Sequence, residues 1–328
     1  MTKVDIFSGF LGAGKTTLIK KLIADGYNGA KLVLIENEFG QIGIDGGFLK
    51  ESGIEITEMN SGCICCSLVG DFGTALQEVI EKFSPDRILI EPSGVGKLSD
   101  VVAAVKRVEG TEICGTVTVI DASKCRVYLK NFKEFYENQI KYAGTIILSR
   151  TGNISQEKLD QAVELIRAIN DHSQIITTPW DELSGVQILK AIEEPLTAAD
   201  MAAALLEAEK HEHEHHHHHD HDEDEHEHEH HHHGHDADEI FDSIGFETSR
   251  HFTQDEIKAA LASLDENAKY GMILRSKGIV AGENGQWIHF DYVPGESDVR
   301  TGASDVTGKI VVIGSGVNKE AVKGLFGI

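Results

Sequence analysis

Across 328 residues, 54 Asp and Glu face 30 Lys and Arg, a formal charge of -24; nothing supplies the basic stripe a phosphate backbone needs, which excludes a general nucleic-acid binder. A 41% hydrophobic and 26% charged content is that of a folded chain, long enough for one large and one small domain. No window approaches the roughly 20 consecutive apolar residues of a membrane span, and Met1 leads into a hydrophobic strand with no signal-peptide pattern, so a cytoplasmic protein is expected.

Short β-rich runs alternate with stretches of helical period from Lys3 to about Thr178. Strands are predicted at Val4 to Phe7, Leu32 to Ile35, Ile54 to Met59, Arg87 to Ile90, Thr116 to Ile120, Thr145 to Leu148 and Gln174 to Thr177. Helices are predicted between them at Thr16 to Ala24, Gly73 to Lys82, Asp100 to Val108, Phe132 to Tyr142 and Gln156 to Asn170, with a last one from Ser184 to Glu194 before Pro195. Continuous apolar strands separated by helices predict an α/β fold, a doubly wound, mostly parallel sheet covered on both faces. Ligands of such sheets sit beyond the carboxyl ends of the strands, so the loops after Phe7, Ile35, Ile90, Ile120 and Leu148 are the places to search.

A short Ala-rich helical stretch then enters a low-complexity tract. Between Glu207 and Glu239 lie 15 of the 18 His, and 14 carboxylates against the single Lys210. So little apolar surface predicts a disordered linker. Neutral imidazoles ligate transition metals and the carboxylates concentrate cations, so His215, His217 and His219 are taken as representative ligands of a weakly selective capture arm. From Ile240 onward, strands at Ser243 to Phe252, Gly271 to Val280, Trp287 to Tyr292 and Lys309 to Ile313, with helices at Asp255 to Leu264 and Lys319 to Phe326, predict a small, mostly antiparallel α+β domain. The expected division is 1–195 for nucleotide binding, 196–239 for the linker and 240–328 for the C-terminal domain.

Gly9-Phe10-Leu11-Gly12-Ala13-Gly14-Lys15-Thr16 fits G-x-x-x-x-G-K-[ST] between a strand and a helix. In a P-loop the glycines turn backbone N–H groups onto phosphate oxygens, the lysine reaches the β- and γ-phosphates, and the hydroxyl of Thr16 ligates Mg²⁺. Thr17 follows at the helix start. Ile88-Leu89-Ile90-Glu91-Pro92-Ser93-Gly94 adds a strand ending in a carboxylate. Glu91 there can hold Mg²⁺ through water or orient the attacking water, and Gly94 can approach the γ-phosphate.

Cys63, Cys65 and Cys66 crowd into Gly62-Cys63-Ile64-Cys65-Cys66, three of only five cysteines. Five are too few for a disulfide framework, and three thiolates within four residues can converge on one soft or borderline ion. Cys114 and Cys125, flanking a core strand, are expected to pack as small apolar groups. His172, His251 and His289 are isolated and read as surface or satisfied core residues.

In order along the chain, GFLGAGKTT (Gly9 to Thr17), ENEFG (Glu36 to Gly40), GCICC (Gly62 to Cys66) and EPSG (Glu91 to Gly94) resemble the CobW-like, cobalamin-synthesis-protein family of P-loop GTPases, whose relatives include the nickel-insertion GTPases for urease and hydrogenase. Gly271 to Gly278, Gln286-Trp287 and Ile310 to Gly314 look like that family's C-terminal domain. The resemblance implies a nucleotide-driven metallochaperone that uses GTP (or ATP) and Mg²⁺, carries Zn²⁺ or Co²⁺ and delivers it to a client metalloprotein. It also implies acidic switch residues at Glu36, Glu38 and Asp45. Members of the family read guanine with Asn-Lys-x-Asp after the sixth strand; here Ser149-Arg150-Thr151-Gly152 stands at that place, so Ser149 and Arg150 are the candidate base-side contacts and Gly152 offers no acceptor. Two rival functions stay open: a metal buffer built on the His tract, distinguished by deleting 207–239, and an accessory factor for metalloenzyme assembly.

Overall fold

The computed structural model describes residues 1–36, 55–58, 69–215 and 242–328. These divide into two compact units, Met1–Pro195 and Leu196–Ile328.

In the first unit, β1 (Thr2–Gly9), α1 (Lys15–Asp25), β2 (Leu32–Glu36), β3 (Glu55–Glu58), α2 (Val69–Phe83), β4 (Arg87–Glu91), α3 (Leu98–Val105), β5 (Thr111–Asp121), α4 (Cys125–Asn131), α5 (Lys133–Lys141), β6 (Thr145–Ser149), α6 (Gln156–Arg167), β7 (Gln174–Ile176) and α7 (Gly185–Glu193) follow one another. The strands form one parallel sheet in the order β3-β2-β4-β1-β5-β6-β7. Period two is visible in what they bury: Val4 and Ile6, Val33 and Ile35, Ile88 and Ile90, and Ile146 and Leu148 share one core with α2, α3, α5 and α6. On the other face α1 packs against α7. Register sets the carboxyl ends of five strands side by side, because Glu36 pairs with Glu91, Gly9 with Val119 and Asp121 with Ser149.

Opposite that rim, the sheet buries a charge. Asp5 of β1 is fully buried; its Oδ2 accepts from Arg87 at 2.5 Å and from the Tyr27 hydroxyl at 2.7 Å, and Arg87 also pairs with Glu193 of α7. Burial pushes the Asp5 carboxyl above its ordinary value, with Arg87 and Tyr27 opposing that rise.

The second unit contains α8 (Ala198–His215), β8 (Asp242–Thr248), β9 (His251–Phe252), α9 (Gln254–Ser263), α10 (Asn267–Tyr270), β10 (Met272–Gly282), β11 (Trp287–Val293), β12 (Glu296–Gly302), β13 (Gly308–Ser315) and α11 (Lys319–Phe326). Its sheet runs β12-β11-β10-β13-β8, antiparallel along that path, and β9 adds to β10 in parallel. Capping boxes at Ser184 and Thr253 fix the starts of α7 and α9.

Besides the split of the strand expected over Ser243 to Phe252 into β8 and β9 and the added α10, three expectations change. The Ala-rich helical stretch expected ahead of the tract is α8, but the second unit starts with it, at Leu196 rather than Ile240. The reason is burial: Ala202, with Met201, Leu205 and Leu206, packs on Val311 and Ile313, and the carbonyl of Ala198 presses so close to β8 that only a glycine fits at 245. The second change is the added strand β12, whose polar residues carry no apolar alternation. The third is α4, a separate helix before the expected one at Phe132. Among the described residues no helix is long and apolar enough to cross a membrane.

Candidate phosphate site at the sheet rim

The chain after β1 must turn sharply under β5, and Gly9 makes the turn at φ 140 with its Cα so close to Val119 that a Cβ would stand 2.3 Å from the Val119 carbonyl oxygen. Gly12 and Gly14 also have positive φ, and α1 begins at Gly14 with no side-chain cap. With glycine at the cap, no capping side chain takes up the first-turn N–H groups of this 11-residue helix, the arrangement that favours a phosphate. Lys15 is buried, its Nζ turned back onto the carbonyl oxygens of Gly9 at 3.0 Å and Phe10 at 3.4 Å, and 3.9 Å from Glu91.

Thr16 donates its hydroxyl to both carboxylate oxygens of Glu91, at 3.1 and 3.2 Å. A hydroxyl and a carboxylate held together are hard oxygen donors and suit Mg²⁺, so the residues present fit that ion. Glu36 is buried at the end of β2, in register beside Glu91. Gly94 lies flat against the loop: a Cβ on it would meet the Leu11 backbone nitrogen at 2.8 Å. Ala13 is buried, while Gly12 and Thr17 are exposed.

On the β6 side, Arg150 is one of two non-glycine residues with positive φ among the described residues. Its guanidinium lies 2.9 Å from the buried carboxylate of Asp121 and donates to the Gly12 carbonyl at 3.1 Å, strapping the end of β6 to the phosphate loop. Ser149 is buried and donates to the Ile120 carbonyl. The Trp180 indole fills the space beside it: its edge would stand 3.1 Å from a Cβ on Gly14 and 3.9 Å separates the Ser149 Cβ from that point, while its N–H donates to Leu148.

Lys15, Thr16, Glu91, Gly94, Ser149 and Arg150 are thus brought to one rim. Cys63, Cys65, Cys66, Glu38, Asp45, His217 and His219 lie outside the described residues; His215 ends α8. Among the described residues no three His, Cys, Asp or Glu come together as a metal site. His172 and His251 are exposed, and His289 lies 2.9 Å from the Ala303 carbonyl oxygen. Burial raises the Cys125 thiol to about 11, so it stays protonated and packs in the core. Two residues of the site escaped the sequence reading. Asp121 ends β5, at one of the strand ends singled out above, and Trp180 follows β7, beyond the last of them.

A family model for the CobW/HypB/UreG nucleotide-binding domain matches residues 3–177. The chain belongs to the CobW/HypB/UreG family. A model for the cobalamin synthesis protein CobW C-terminal domain matches residues 241–327 of this CobW/HypB/UreG chain. It is 34% identical over 186 residues to the zinc chaperone CobW of Sinorhizobium sp, covering 47% of this chain and 52% of that one. It is 30% identical over 167 residues to the zinc chaperone YeiR of Escherichia coli, covering 50% and 51%. The alignments thus span about half the length of each relative. The Zn(II)-bound YjiA GTPase of E. coli superposes with a TM-score of 0.41 at 18% identity, over 99% of this chain and 98% of that one.

Proposed function

We propose that the chain is a nucleoside-triphosphate phosphohydrolase that works as a metallochaperone in the cytoplasm, holding Zn²⁺ or Co²⁺ on Cys63, Cys65 and Cys66 and delivering it to a client metalloprotein. The contact of Thr16 with both oxygens of Glu91, beneath an uncapped helix and a buried lysine, is the observation that carries the hydrolase reading. Lys15 binds the β- and γ-phosphates, Thr16 and Glu91 hold Mg²⁺, and Glu91 orients water for attack. Mg²⁺, when bound, offsets charge on the phosphate oxygens. Zinc chaperone relatives and the Cys-x-Cys-Cys motif between β2 and β4 support the cargo.

Cys63, Cys65 and Cys66 fall between two rim strands, so phosphate state and metal affinity should be linked reciprocally. Titrating Zn²⁺ or Co²⁺ with a non-hydrolysable triphosphate and with diphosphate should give affinities differing about fivefold or more. Equal affinities would remove the switch. A metal buffer is the second reading, favoured by 15 His in a tenth of the chain. Replacing 216–239 by Gly and Ser of equal length should cost a buffer most of its metal capacity, whereas a chaperone keeps one tight ion, lost with Cys63→Ser, Cys65→Ser and Cys66→Ser together.

Base choice follows from the strap on Arg150. Its stem can lie along a base, but Gly152 offers no carboxylate to the paired donors of guanine, so GTP and ATP should bind within about tenfold of one another. Among the described residues a Cβ at Gly152 would meet only Pro179, at 3.9 Å, which leaves room for a side chain. Gly152→Asp should then raise the GTP over ATP preference at least about tenfold, the worth of a charge-assisted pair. Competition binding of both nucleotides checks this; a preference that does not move would place base reading elsewhere.

A further inference from the structure

Gln139, on α5, is fully buried and reaches across to the loop after β4, where its Nε2 donates to the carbonyl oxygens of Gly94 at 3.1 Å and Gly96 at 2.9 Å. Two acceptors fix the amide's orientation, because the flipped amide would set its own oxygen against both. Oε1 is left buried with no hydrogen-bond partner among the described residues. A residue serving only as an anchor gains nothing from a vacant acceptor, and buried orphans in native proteins call for an explanation.

The neighbours of Gln139 make α5 a stiff support for this loop. Its backbone carbonyl accepts from Thr118 of β5 at 2.7 Å, tying the helix to the sheet. Asn138 accepts from the Ser99 N–H at 3.2 Å and donates to the Ser99 hydroxyl at 3.0 Å, and Glu134 pairs with Lys97 at 2.6 Å. Tyr136 meets the Phe10 ring edge-on at 5.9 Å, so the same helix also braces the phosphate loop. Between these two supports lies Gly94, where an added Cβ would meet the Leu11 backbone nitrogen at 2.8 Å.

We propose that Gln139 is a positioning residue for hydrolysis: by gripping the Gly94 and Gly96 carbonyls it sets where the Gly94 N–H stands relative to the γ-phosphate, and its vacant Oε1 is the second partner the loop uses when it turns. This rests on the reading that the rim binds a nucleoside triphosphate. The loop thereby exchanges one hydrogen bond for another without opening the core, which suits a segment that must take two arrangements.

Binding of a non-hydrolysable triphosphate and of diphosphate, with kcat, is to be measured on the full chain. The wild type is read first, and binding of neither nucleotide would overturn the proposed function itself. Gln139→Met keeps the volume and removes both donors. Its diphosphate Kd should stay within about twofold of wild type, while the triphosphate preference falls about tenfold and kcat falls roughly ten- to a hundredfold through misplacement. A folded Gln139→Met protein with unchanged preference and kcat overturns the proposal.

Gln139→Glu supplies a readout that packing alone would not move. Protonated, it donates to one carbonyl; ionised, it repels both, and burial raises its titration. Its kcat relative to wild type should climb as pH falls from 8 to about 5.5, and a flat ratio counts against the proposal. Should neither variant fold, the half-exposed Asn138→Ala removes only the Ser99 tether. A triphosphate preference reduced roughly threefold supports the role of the loop support, and an unchanged preference overturns it.

Discussion

Glu91→Gln should lower triphosphate hydrolysis by about a hundred- to a thousandfold, the range for losing a group that orients or deprotonates the nucleophile. The substitution is gentle on the fold. An amide oxygen still accepts from the Thr16 hydroxyl, which now bonds both carboxylate oxygens, and the strand end at Glu91 is only partly buried. In the proposed reading nucleotide affinity rests on the backbone of residues 9–14, the start of α1 and Lys15; of these the change meets only Lys15, through a 3.9 Å approach to Glu91. The expected signature is therefore a fall in kcat with the triphosphate Kd changed by less than about fivefold. Single-turnover hydrolysis with equilibrium binding on the same samples checks it, and a loss confined to binding would assign Glu91 to holding the nucleotide.

The largest effect on stability is expected away from the rim. Arg87→Met leaves the fully buried Asp5 carboxylate with Tyr27 as its remaining partner, and stripping one member from a buried ion pair costs about 3–5 kcal/mol. In a unit of this size that lowers the Tm on the order of 10 °C. The pH dependence has a definite sign. Burial already holds the Asp5 titration above its ordinary value, so the folded state binds this proton more readily than the unfolded state. Without Arg87 that titration rises further. The penalty of Arg87→Met is then full at pH values above the raised titration and recedes as pH falls through it. Tm measured from pH 8 down to about 5 should show wild type and variant converging. Asp5→Asn together with Arg87→Met should recover much of the loss, since no isolated charge is left in the core. Parallel curves across that range would mean that Asp5 is already neutral at pH 8.

Most of the architecture was legible because the signals are local. Val4 to Phe7 or Arg87 to Ile90 is a strand by composition, and GFLGAGKT between a strand and a helix leaves few alternatives. The failures have physical causes. In β12 the run Glu296–Gly302 faces solvent and carries no apolar alternation, and the usable sign lay outside it: Pro294-Gly295, with Gly295 at φ 82, closes a two-residue turn between β11 and β12. For α8 the clue was Thr197-Ala198-Ala199-Asp200, where Asp200 accepts from the Thr197 N–H and hydroxyl while its own N–H returns to the Thr197 oxygen. The stretch reads as helical, but the acidic tract that follows hides that it belongs to the folded unit. At the site, Lys15, Thr16, Glu91 and Gly94 are close in motif logic and were found by it. Asp121 and Trp180 are brought in by register between distant strands, and Gln139 by one turn of a helix whose polar pattern looks like any surface helix. No local rule marks Trp180 or Gln139, whose partners lie 32 and 43 to 45 positions away.

The assignment of α8 to the second unit has a topological outcome. The segment rich in His departs from α8 and rejoins the chain at β8, so both of its attachment points belong to the same folded body. It is an excursion within one body, and the covalent bridge between the two bodies is the short stretch around Pro195. Shortening or recoding the excursion leaves the span of that bridge untouched. A phenotype from such a variant therefore reports on the excursion itself and not on the length of that bridge.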